Sequence, residues 1–355
     1  ASGDVDANPT NGNEATALDW TTAIDIGADG AFGDVVDPGT ALDPTALLPI
    51  TLSGERLSVS GTLTELNLAD TVLASGGFEI SKLIATVEGG AEAGTITDAE
   101  ILTISLTNVN LFAGVGATID AGVITTTDAI GFSALGGTIE LAIVGEAVAA
   151  GSPTPAQSWT ALSVAVDEVA LIGLPDDITV EITDLSFAMN VAAANGTRFD
   201  WRTTGVAQID ALTAIAAMDP AFGIQFGATV ELTLSGFVLV AGTLAGTIRT
   251  TDIDDGNGVA VAGASIFTFS ISNGFLFVGT GGAFTRDGAG TIDGIADQGV
   301  GFSASGIGLE FASVSQTADN PLTPAIEARP ELSLSLIHIS EPTRQDTRSR
   351  IPSSA

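Results

Sequence analysis

The sequence contains no cysteine and no tyrosine, and aromatic residues make up only 5% of its 355 residues. Without cysteine the chain forms neither a disulfide nor a thiolate metal site. With so few aromatic side chains, a core has to be filled mainly by Val, Ile, Leu and Ala. Such small and β-branched residues suit closely stacked β-strands. The composition therefore indicates a β-rich protein.

Histidine is almost absent as well. The single histidine, His338, lies close to the C-terminus. For residues 1–333 this excludes Ser-His-Asp and Cys-His catalysis and histidine-based zinc sites. The Gly-rich stretches also lack the lysine of a phosphate-binding loop. The sequence therefore predicts that the protein is not an enzyme.

Basic residues are scarce: 10 Lys and Arg stand against 43 Asp and Glu, for a net charge of −33. This balance argues against a nucleic-acid partner, because such binding depends on Lys and Arg that neutralise phosphates. The sequence also has no apolar run of membrane-spanning length, which predicts no membrane insertion. The surplus of carboxylates favours Ca²⁺ or solvation in a salty medium.

What the sequence does contain is an internal repeat. The stretch Ser105–Gly116 returns 165 positions later as Ser270–Gly281, and other blocks recur in the same order. The other matched blocks are Asp19-Trp20 with Asp200-Trp201, Leu68–Gly76 with Leu234–Gly242, Gly131–Leu141 with Gly301–Phe311, and Thr154–Ala156 with Thr323–Ala325. The blocks keep their order at offsets of 165–181 residues, and ordered blocks at a nearly constant period indicate an array of one structural unit.

The repeat predicts the organisation of the chain. Residues 1–16 are polar and are interpreted as a linker, 17–197 as copy one, and 198–333 as copy two. Copy one continues for about 40 residues beyond its last matched block, so copy two is expected to be truncated.

The last segment, 334–355, differs from the rest. It contains His338 and three of the ten basic residues. Its stretch Leu334–Arg344, LSLIHISEPTR, resembles the conceptual translation of a sequencing adapter at the end of a metagenomic contig. The resemblance implies an artefactual tail, which is expected to be disordered.

Alternation of apolar and hydroxyl side chains predicts β-strands. Leu102, Ile104 and Leu106 alternate with Thr and Ser, and similar runs occur at Leu57–Leu66, Leu162–Val166, Ile178–Phe187 and Val230–Val240. We expect an all-β fold, most consistent with an elongated β-solenoid or β-helix-like tandem repeat. Tandem β-sandwich modules are the alternative. Only Val206–Met218 predicts a helix, because Val206, Ile209, Leu212 and Ile215 recur every three residues.

Two acidic, Gly-rich loops are the candidates for a Ca²⁺ site. Carboxylate and carbonyl oxygens are the ligands that Ca²⁺ prefers, and glycine lets the backbone turn its carbonyls inward. The candidate ligands are Asp252, Asp254, Asp255 and Asn257 in the first loop and Asp287, Asp293 and Asp297 in the second. Copy one keeps only Thr118-Ile119-Asp120 of the second pattern. The alternative interpretation of each loop is a hydrophilic turn.

Three tryptophans, Trp20, Trp159 and Trp201, are compatible with either sugar stacking or packing. Trp20 and Trp201 occupy the same position in the two copies. This favours packing anchors between repeats. A groove with acids, an arginine and an exposed tryptophan favours a carbohydrate-binding or carbohydrate-cleaving protein instead.

The repeated blocks, including SLTNVNLFAGVG, TDAIGFSALGG and SWTALSVAVDEVALIGL, resemble repeats of very large acidic bacterial adhesin-like or matrix-like proteins. The resemblance implies an extracellular or cell-surface location and a structural or adhesive role, without catalytic residues. Neighbouring repeats, other copies of the chain and surface polysaccharide are the partners it suggests. Long alternating strands with few lysines also leave edges open to fibre formation.

Overall fold

The computed structural model describes residues 22–23, 25, 30–34, 56–147, 156–175, 177–254, 260–288, 290–296, 299–315 and 336–340, with the backbone alone at 260–261 and 336–340. Over these residues the protein is all-β, as predicted. The α-helices of this part, Gly90–Ala93 and Ala207–Asp210, have four residues each. No helix in the described ranges has the length and apolarity needed to cross a membrane.

The strands of the described residues are numbered β1 to β15. In chain order they are β1 Arg56–Leu68, β2 Val72–Glu88, β3 Thr95–Val115, β4 Thr118–Asp120, β5 Val123–Thr125, β6 Ile130–Gly145, β7 Ser158–Ile172, β8 Ile178–Val191, β9 Phe222–Leu234, β10 Val238–Asp254, β11 Ala260–Thr280, β12 Phe284–Arg286, β13 Ile292–Ile295, β14 Val300–Ser315 and β15 Leu336–Ser340. Eleven form one main sheet in the order β1-β2-β3-β6-β7-β8-β9-β10-β11-β14-β15, and β4-β5 and β12-β13 form two small hairpins.

The main sheet differs from the predicted solenoid. All neighbouring pairs of its described strands are antiparallel, whereas the stacked coils of a solenoid bring equivalent strands together in parallel. The cause is local. In the turn Leu68–Thr71 both central residues, Ala69 and Asp70, have φ of 54°, and such turns reverse the chain directly into a hairpin. These strands also form one sheet rather than the two packed sheets of the alternative sandwich.

The two copies contain the same long strands. β1 and β9 have 13 residues each, β2 and β10 have 17, β3 and β11 have 21, and β6 and β14 have 16. β7 and β8 lie between these two four-strand units. The repeat therefore widens one continuous sheet.

Backbone geometry explains why both copies of the repeated stretch have an asparagine at the same position. Asn108 of β3 and Asn273 of β11 have φ of 50° and 51°, in the left-handed region. Asparagine adopts this region more readily than most side chains. Both residues lie at interruptions of regular pairing with the next strand.

Close strand approach explains the repeated glycine. A Cβ atom at Gly114 would lie 2.2 Å from the carbonyl oxygen of Ile130, and one at Gly279 would lie 2.3 Å from that of Val300. Only glycine fits at such distances. The stretch therefore recurs because strand pairing requires it.

The predicted helix Val206–Met218 is present only in part. An α-helical turn spans Ala207–Asp210 and a 3₁₀ turn spans Ile215–Ala217. A spacing of three residues matches a 3₁₀ turn more closely than a long α-helix. The apolar residues that supported the prediction are nevertheless all buried: Val206, Ile209, Leu212 and Ile215.

One further expectation differs from the structure. The predicted strand Val230–Val240 crosses a turn, because β9 ends at Leu234 and β10 begins at Val238. Of the tail 334–355, the structure describes β15, whose backbone pairs with Gly308–Ala312 of β14; the interpretation of the tail as artefactual and disordered stays a prediction. An open sheet edge bonds through its backbone, so pairing there requires no particular side chains.

The main hydrophobic core lies where residues 193–221, here called the cover segment, pack on one face of copy one. Trp159, Phe199 and Trp201 are 1%, 0% and 0% exposed, with successive ring centroids 5.7 and 4.6 Å apart. The remaining core members include Val87, Ile96, Ala99, Ile101, Ala142, Val144, Ala161, Ile209, Leu212, Ile215 and Met218.

Asn190 of β8 hydrogen-bonds the cover segment to the main sheet. Its Nδ2 donates to the carbonyl oxygens of Phe199 at 2.9 Å and Asp219 at 3.1 Å. Its Oδ1 accepts from Trp201 Nε1 at 3.0 Å. Because all polar atoms of this buried amide have partners, it positions the segment without an unsatisfied group.

Candidate functional site

The most extensive surface feature is one side of the main sheet, here called the apolar face. Directly paired residues place two rows of side chains across the ten strands from β1 to β14. The first row is Val59, Ile80, Ile104, Leu141, Leu162, Met189, Ile224, Ile248, Phe267 and Ser313, and the second is Gly61, Phe78, Leu106, Ile139, Val164, Phe187, Phe226, Gly246, Phe269 and Phe311. Neither row contains a charged residue.

None of the large side chains in these two rows is fully buried. Val59 and Ile80 are 48% and 39% exposed, and the others are half-buried by one another. Phe226 and Phe269, for example, have ring centroids 6.5 Å apart. On the opposite face, the core residue Ile101 is 0% exposed. The side chains of these rows therefore contact their neighbours on adjacent strands of the same sheet.

The opposite side of the sheet, the polar face, carries small and polar residues in the same register. One complete row is Ser60, Glu79, Ser105, Glu140, Ser163, Ala188, Gln225, Thr247, Thr268 and Ala312. The predicted alternation thus separates the two faces of one sheet.

One ion pair lies at the margin of the apolar face. Lys82 Nζ is 3.5 Å from Glu100 Oε2, and the two side chains are 58% and 60% exposed. An exposed pair of this kind contributes little to stability. Its position on β2 and β3, near one side of the sheet, keeps charge away from the central strands.

A second feature is an acidic cleft of about 550 Å³ on the polar face, beneath the β12–β13 hairpin. Glu181 of β8 and Glu231 of β9 are directly opposite each other. Arg286 of β12 binds the Glu231 carboxylate and donates to the carbonyl oxygen of Gly290 at 3.0 Å. The hairpin therefore binds a guanidinium to one of two facing carboxylates, Glu231, which reduces the repulsion between them.

The same arrangement raises the pKa of the Glu181 carboxyl above its usual value. Partial burial is the largest cause, followed by the negative charges of Glu231 and Glu168, and Arg286 opposes them. Two facing carboxylates and an arginine are able to hydrogen-bond a polyhydroxylated ligand.

The tryptophans do not line this cleft. Trp159 and Trp201 are buried in the main core, and Trp20 lies outside the described residues. The packing role predicted for Trp201 matches its burial. The cleft thus contains acids and an arginine, as expected of a carbohydrate-binding groove, but among the described residues its aromatic lining residue is Phe275 and not a tryptophan.

The predicted calcium ligands of the first loop lie at the β10–β11 turn. Asp252 accepts the N–H of Gly263 at 2.8 Å, and Asp254 is the last residue of β10. Asp255 and Asn257 lie outside the described residues.

The second loop belongs to the β12–β13 hairpin, at the other end of β11. Asp287 Oδ1 accepts the N–H of Thr291 at 2.9 Å, and Asp293 Oδ1 accepts from Thr285 Oγ1 at 2.7 Å. Asp297 lies outside the described residues. The carboxylates Asp287 and Asp293 therefore stabilise the hairpin.

The described ranges contain no cluster of three or more Asp, Glu or His side chains suited to a metal ion. The echo of the second loop in copy one is not a positional counterpart. Thr118–Asp120 forms β4, the first strand of its hairpin, whereas Asp293 lies in β13, the second strand. Ca²⁺ binding by either loop stays a prediction.

The sequence interpretation missed the acidic cleft. Glu181 and Glu231 stand 50 residues apart, and Arg286 follows 55 residues later. Their only signal is an acid at a polar-face position of a predicted strand. The register of β8 against β9 brings the two glutamates together, and the β12–β13 hairpin brings Arg286 to them. Neither can be predicted from the spacing of these residues in the sequence.

Comparison of the chain with protein-family models, curated proteins and solved structures finds no match.

Proposed function

We propose that this protein is a non-catalytic structural and adhesive repeat region of a large extracellular bacterial protein, and that it associates with other copies of itself through the apolar face. The observation that carries the proposal is the pair of uncharged rows across ten strands. Soluble monomers rarely expose continuous apolar surfaces larger than a few hundred Å².

The size of the apolar face supports self-association. Ten strands at about 4.8 Å each span about 48 Å. The shortest of them, β1 and β9, have 13 residues, or about 43 Å at ~3.3 Å per residue. This side of the sheet therefore measures roughly 2,000 Å², against the ~800 Å² that each partner contributes to a standard stable interface. The two uncharged rows, at ~6.6 Å of strand length each, occupy about 600 Å² of it.

Charge supports the same partner. The net charge of −33 opposes association through the polar face, where Glu79 and Glu140 belong to a single row. Two copies that meet through their apolar faces keep these carboxylates on the outside. Such a pair has the two-layer arrangement of a β-sandwich, formed between chains.

The repeat supports an elongated array. The second four-strand unit continues the sheet of the first through β7 and β8, so further units joined in the same way would lengthen the sheet sideways. The absence of histidine and cysteine from residues 1–333 favours structure over catalysis. In this role Ca²⁺ stabilises the acidic loops, and millimolar Ca²⁺ is expected to raise the melting temperature of the chain.

The experiment is sedimentation of the full chain over a wide concentration range. We expect dimers or larger assemblies, and we expect the double variant Val59→Glu/Ile80→Glu to sediment as a monomer. Both positions are already exposed, so folding is expected to survive the change.

The matched control is Ser60→Glu, which places the same charge on the polar face of β1. It is expected to leave association unchanged. A wild-type chain that stays monomeric at every concentration would contradict the proposal, as would equal effects of the two charge placements.

The acidic cleft favours a second candidate function, carbohydrate binding. Glu181, Glu231 and Arg286 offer both acceptors and donors in one cavity. Calorimetry with neutral hexasaccharides, compared between wild type and Arg286→Ala, tests it. Absence of heat with the wild type would remove this candidate without affecting the apolar face.

A further inference from the structure

The polar face of copy two repeats the surface that holds the cover segment in copy one. In copy one, five apolar residues and one acid contact that segment or lie in the core beneath it. The matched pairs are Val87 with Ile253, Ala99 with Ala264, Ile101 with Ile266, Ala142 with Ala312, Val144 with Val314, and Glu140 with Glu310.

The acid of this set has a defined role in copy one. Glu140 is only 7% exposed, and its Oε2 accepts the backbone N–H groups of Ala214 at 3.0 Å and Ile215 at 3.1 Å. Both donors belong to the cover segment. A buried carboxylate that binds two backbone N–H groups fixes the position of the chain that supplies them.

The same residues are open in copy two. Ile101, Ala142 and Val144 are all 0% exposed in copy one. Their counterparts Ile266, Ala312 and Val314 are half-buried, and Glu310 is exposed where Glu140 is buried. Among these counterparts only Ala264 is fully buried.

The existing cover segment does not extend over this second surface. Its outermost contacts with copy two are on β10, where Arg249 Nη2 binds the Asp219 carboxylate at 2.7 Å and Arg198 Nη1 donates to Thr250 Oγ1 at 3.1 Å. Arg249 stands where copy one has the apolar Leu83. This ion pair marks the border of the covered area.

We propose that the surface formed by Ile253, Ala264, Ile266, Ala312, Val314 and Glu310 is a docking site for a second cover segment, supplied by a further repeat unit of the same kind. The occupant has apolar side chains every three residues and two free backbone N–H groups for Glu310. Copy one supports this choice, because it shows which segment matching residues bind. The proposal concerns the polar face and is independent of self-association through the apolar face.

The experiment uses the absence of cysteine. A single Val314→Cys thiol reports whether the second surface is covered, and Val144→Cys reports the covered surface of copy one. In the full chain we expect Val314→Cys to react with a maleimide at least about tenfold faster than Val144→Cys, since the latter reacts only through local opening.

A second copy of residues 146–221 is then inserted between Ser315 and Gln316. We expect labelling at Val314→Cys to slow to a rate close to that of Val144→Cys. Glu310→Lys is expected to restore fast labelling, while Val300→Cys, at a position 78% exposed, stays fast throughout. Slow labelling at Val144→Cys in the same insertion variant verifies that copy one is folded.

Three outcomes would overturn the proposal. The first is slow labelling at Val314→Cys without the insertion. The second is protection that grows with chain concentration, since another copy then fills the site. The third is fast labelling with the insertion. If the insertion variant does not fold, a synthetic peptide of residues 193–221 is added to the full chain instead, and its failure to protect Val314→Cys counts against the proposal.

Discussion

Copy one and copy two have strands of the same length in the same order, yet their polar faces differ in packing. In copy one the cover segment buries Ile101 and Val144 completely, whereas the matching Ile266 and Val314 stay half-buried. The strands alone therefore do not determine a core. A sheet that is one layer thick becomes a core only where another segment packs on it.

The comparison of the two copies also distinguishes repeated residues that strand pairing requires from repeated residues that bind another segment. Asn108 and Asn273, or Gly114 and Gly279, have the same geometry in both copies, because strand pairing requires them. Glu140 and Glu310 have the same position in the repeat but different surroundings, because Glu140 is buried against the cover segment and Glu310 is exposed. Substitutions at matched positions distinguish these two classes.

The largest expected effect is on the aromatic cluster of Trp159, Phe199 and Trp201, which lies where the cover segment packs on copy one. Trp201→Ala removes a fully buried ring and leaves Asn190 Oδ1 without its donor. We expect a loss of about 3–5 kcal/mol in the free energy of unfolding, measured by urea denaturation. Phe302→Ala in copy two, at a position 56% exposed, is the control and is expected to cost less than about 1 kcal/mol.

Matched apolar positions provide the next test. Ile101→Ala is expected to destabilise the protein by about 2–5 kcal/mol, because the cover segment prevents the cavity from collapsing fully. Ile266→Ala is expected to cost less than half as much, since its side chain is only half-buried. Equal losses in urea denaturation would mean that the two surfaces are equally covered.

The matched acids are expected to differ in the same direction. Glu140→Ala leaves the N–H groups of Ala214 and Ile215 without an acceptor, and we expect a cost of about 1.5–3 kcal/mol. Glu310→Ala changes an exposed side chain and is expected to stay within about 0.5 kcal/mol of wild type. Thermal denaturation of both variants checks this, and a large effect of Glu310→Ala would contradict it.

The smallest effect concerns the acidic cleft next to copy two. The raised pKa of the Glu181 carboxyl means that the folded state binds its proton more readily than the unfolded state. Stability from this group is therefore present at low pH and is lost as the pH rises through the raised pKa. Glu181→Gln is expected to flatten this part of the pH–stability profile. An unchanged profile in Glu181→Gln would contradict this expectation.

Much of the fold could be predicted from local patterns. Alternation predicted β3, and the stretch Ser105–Gly116 within it recurs in β11, a strand of the same length. The expectation of a solenoid was not met, because apolar alternation is the same in a coil and in a hairpin meander. The predicted strand Val230–Val240 includes a turn that the alternation did not indicate. Ser235 has φ of 50° in this turn, and serine is only a weak turn signal.

The candidate sites were predictable to a lesser degree. The acidic loops with Asp252 and Asp287 were visible because their residues are adjacent in sequence. The cleft of Glu181, Glu231 and Arg286 was not, because three separate elements contribute to it. The apolar face was implied by alternation, but its continuity over ten strands depends on a register that places Val59 in line with Phe267.

By itself the sequence determined the all-β class, the position of the repeated stretch Ser105–Gly116, and the left-handed and close-contact positions within it. These follow from side-chain period and backbone sterics, which act over a few residues. Only the tertiary structure decided that the strands form one meander, and that copy one is covered while copy two is open. Both depend on which distant segments pair or pack, and a change in register or in the path of one segment alters them without altering any local pattern.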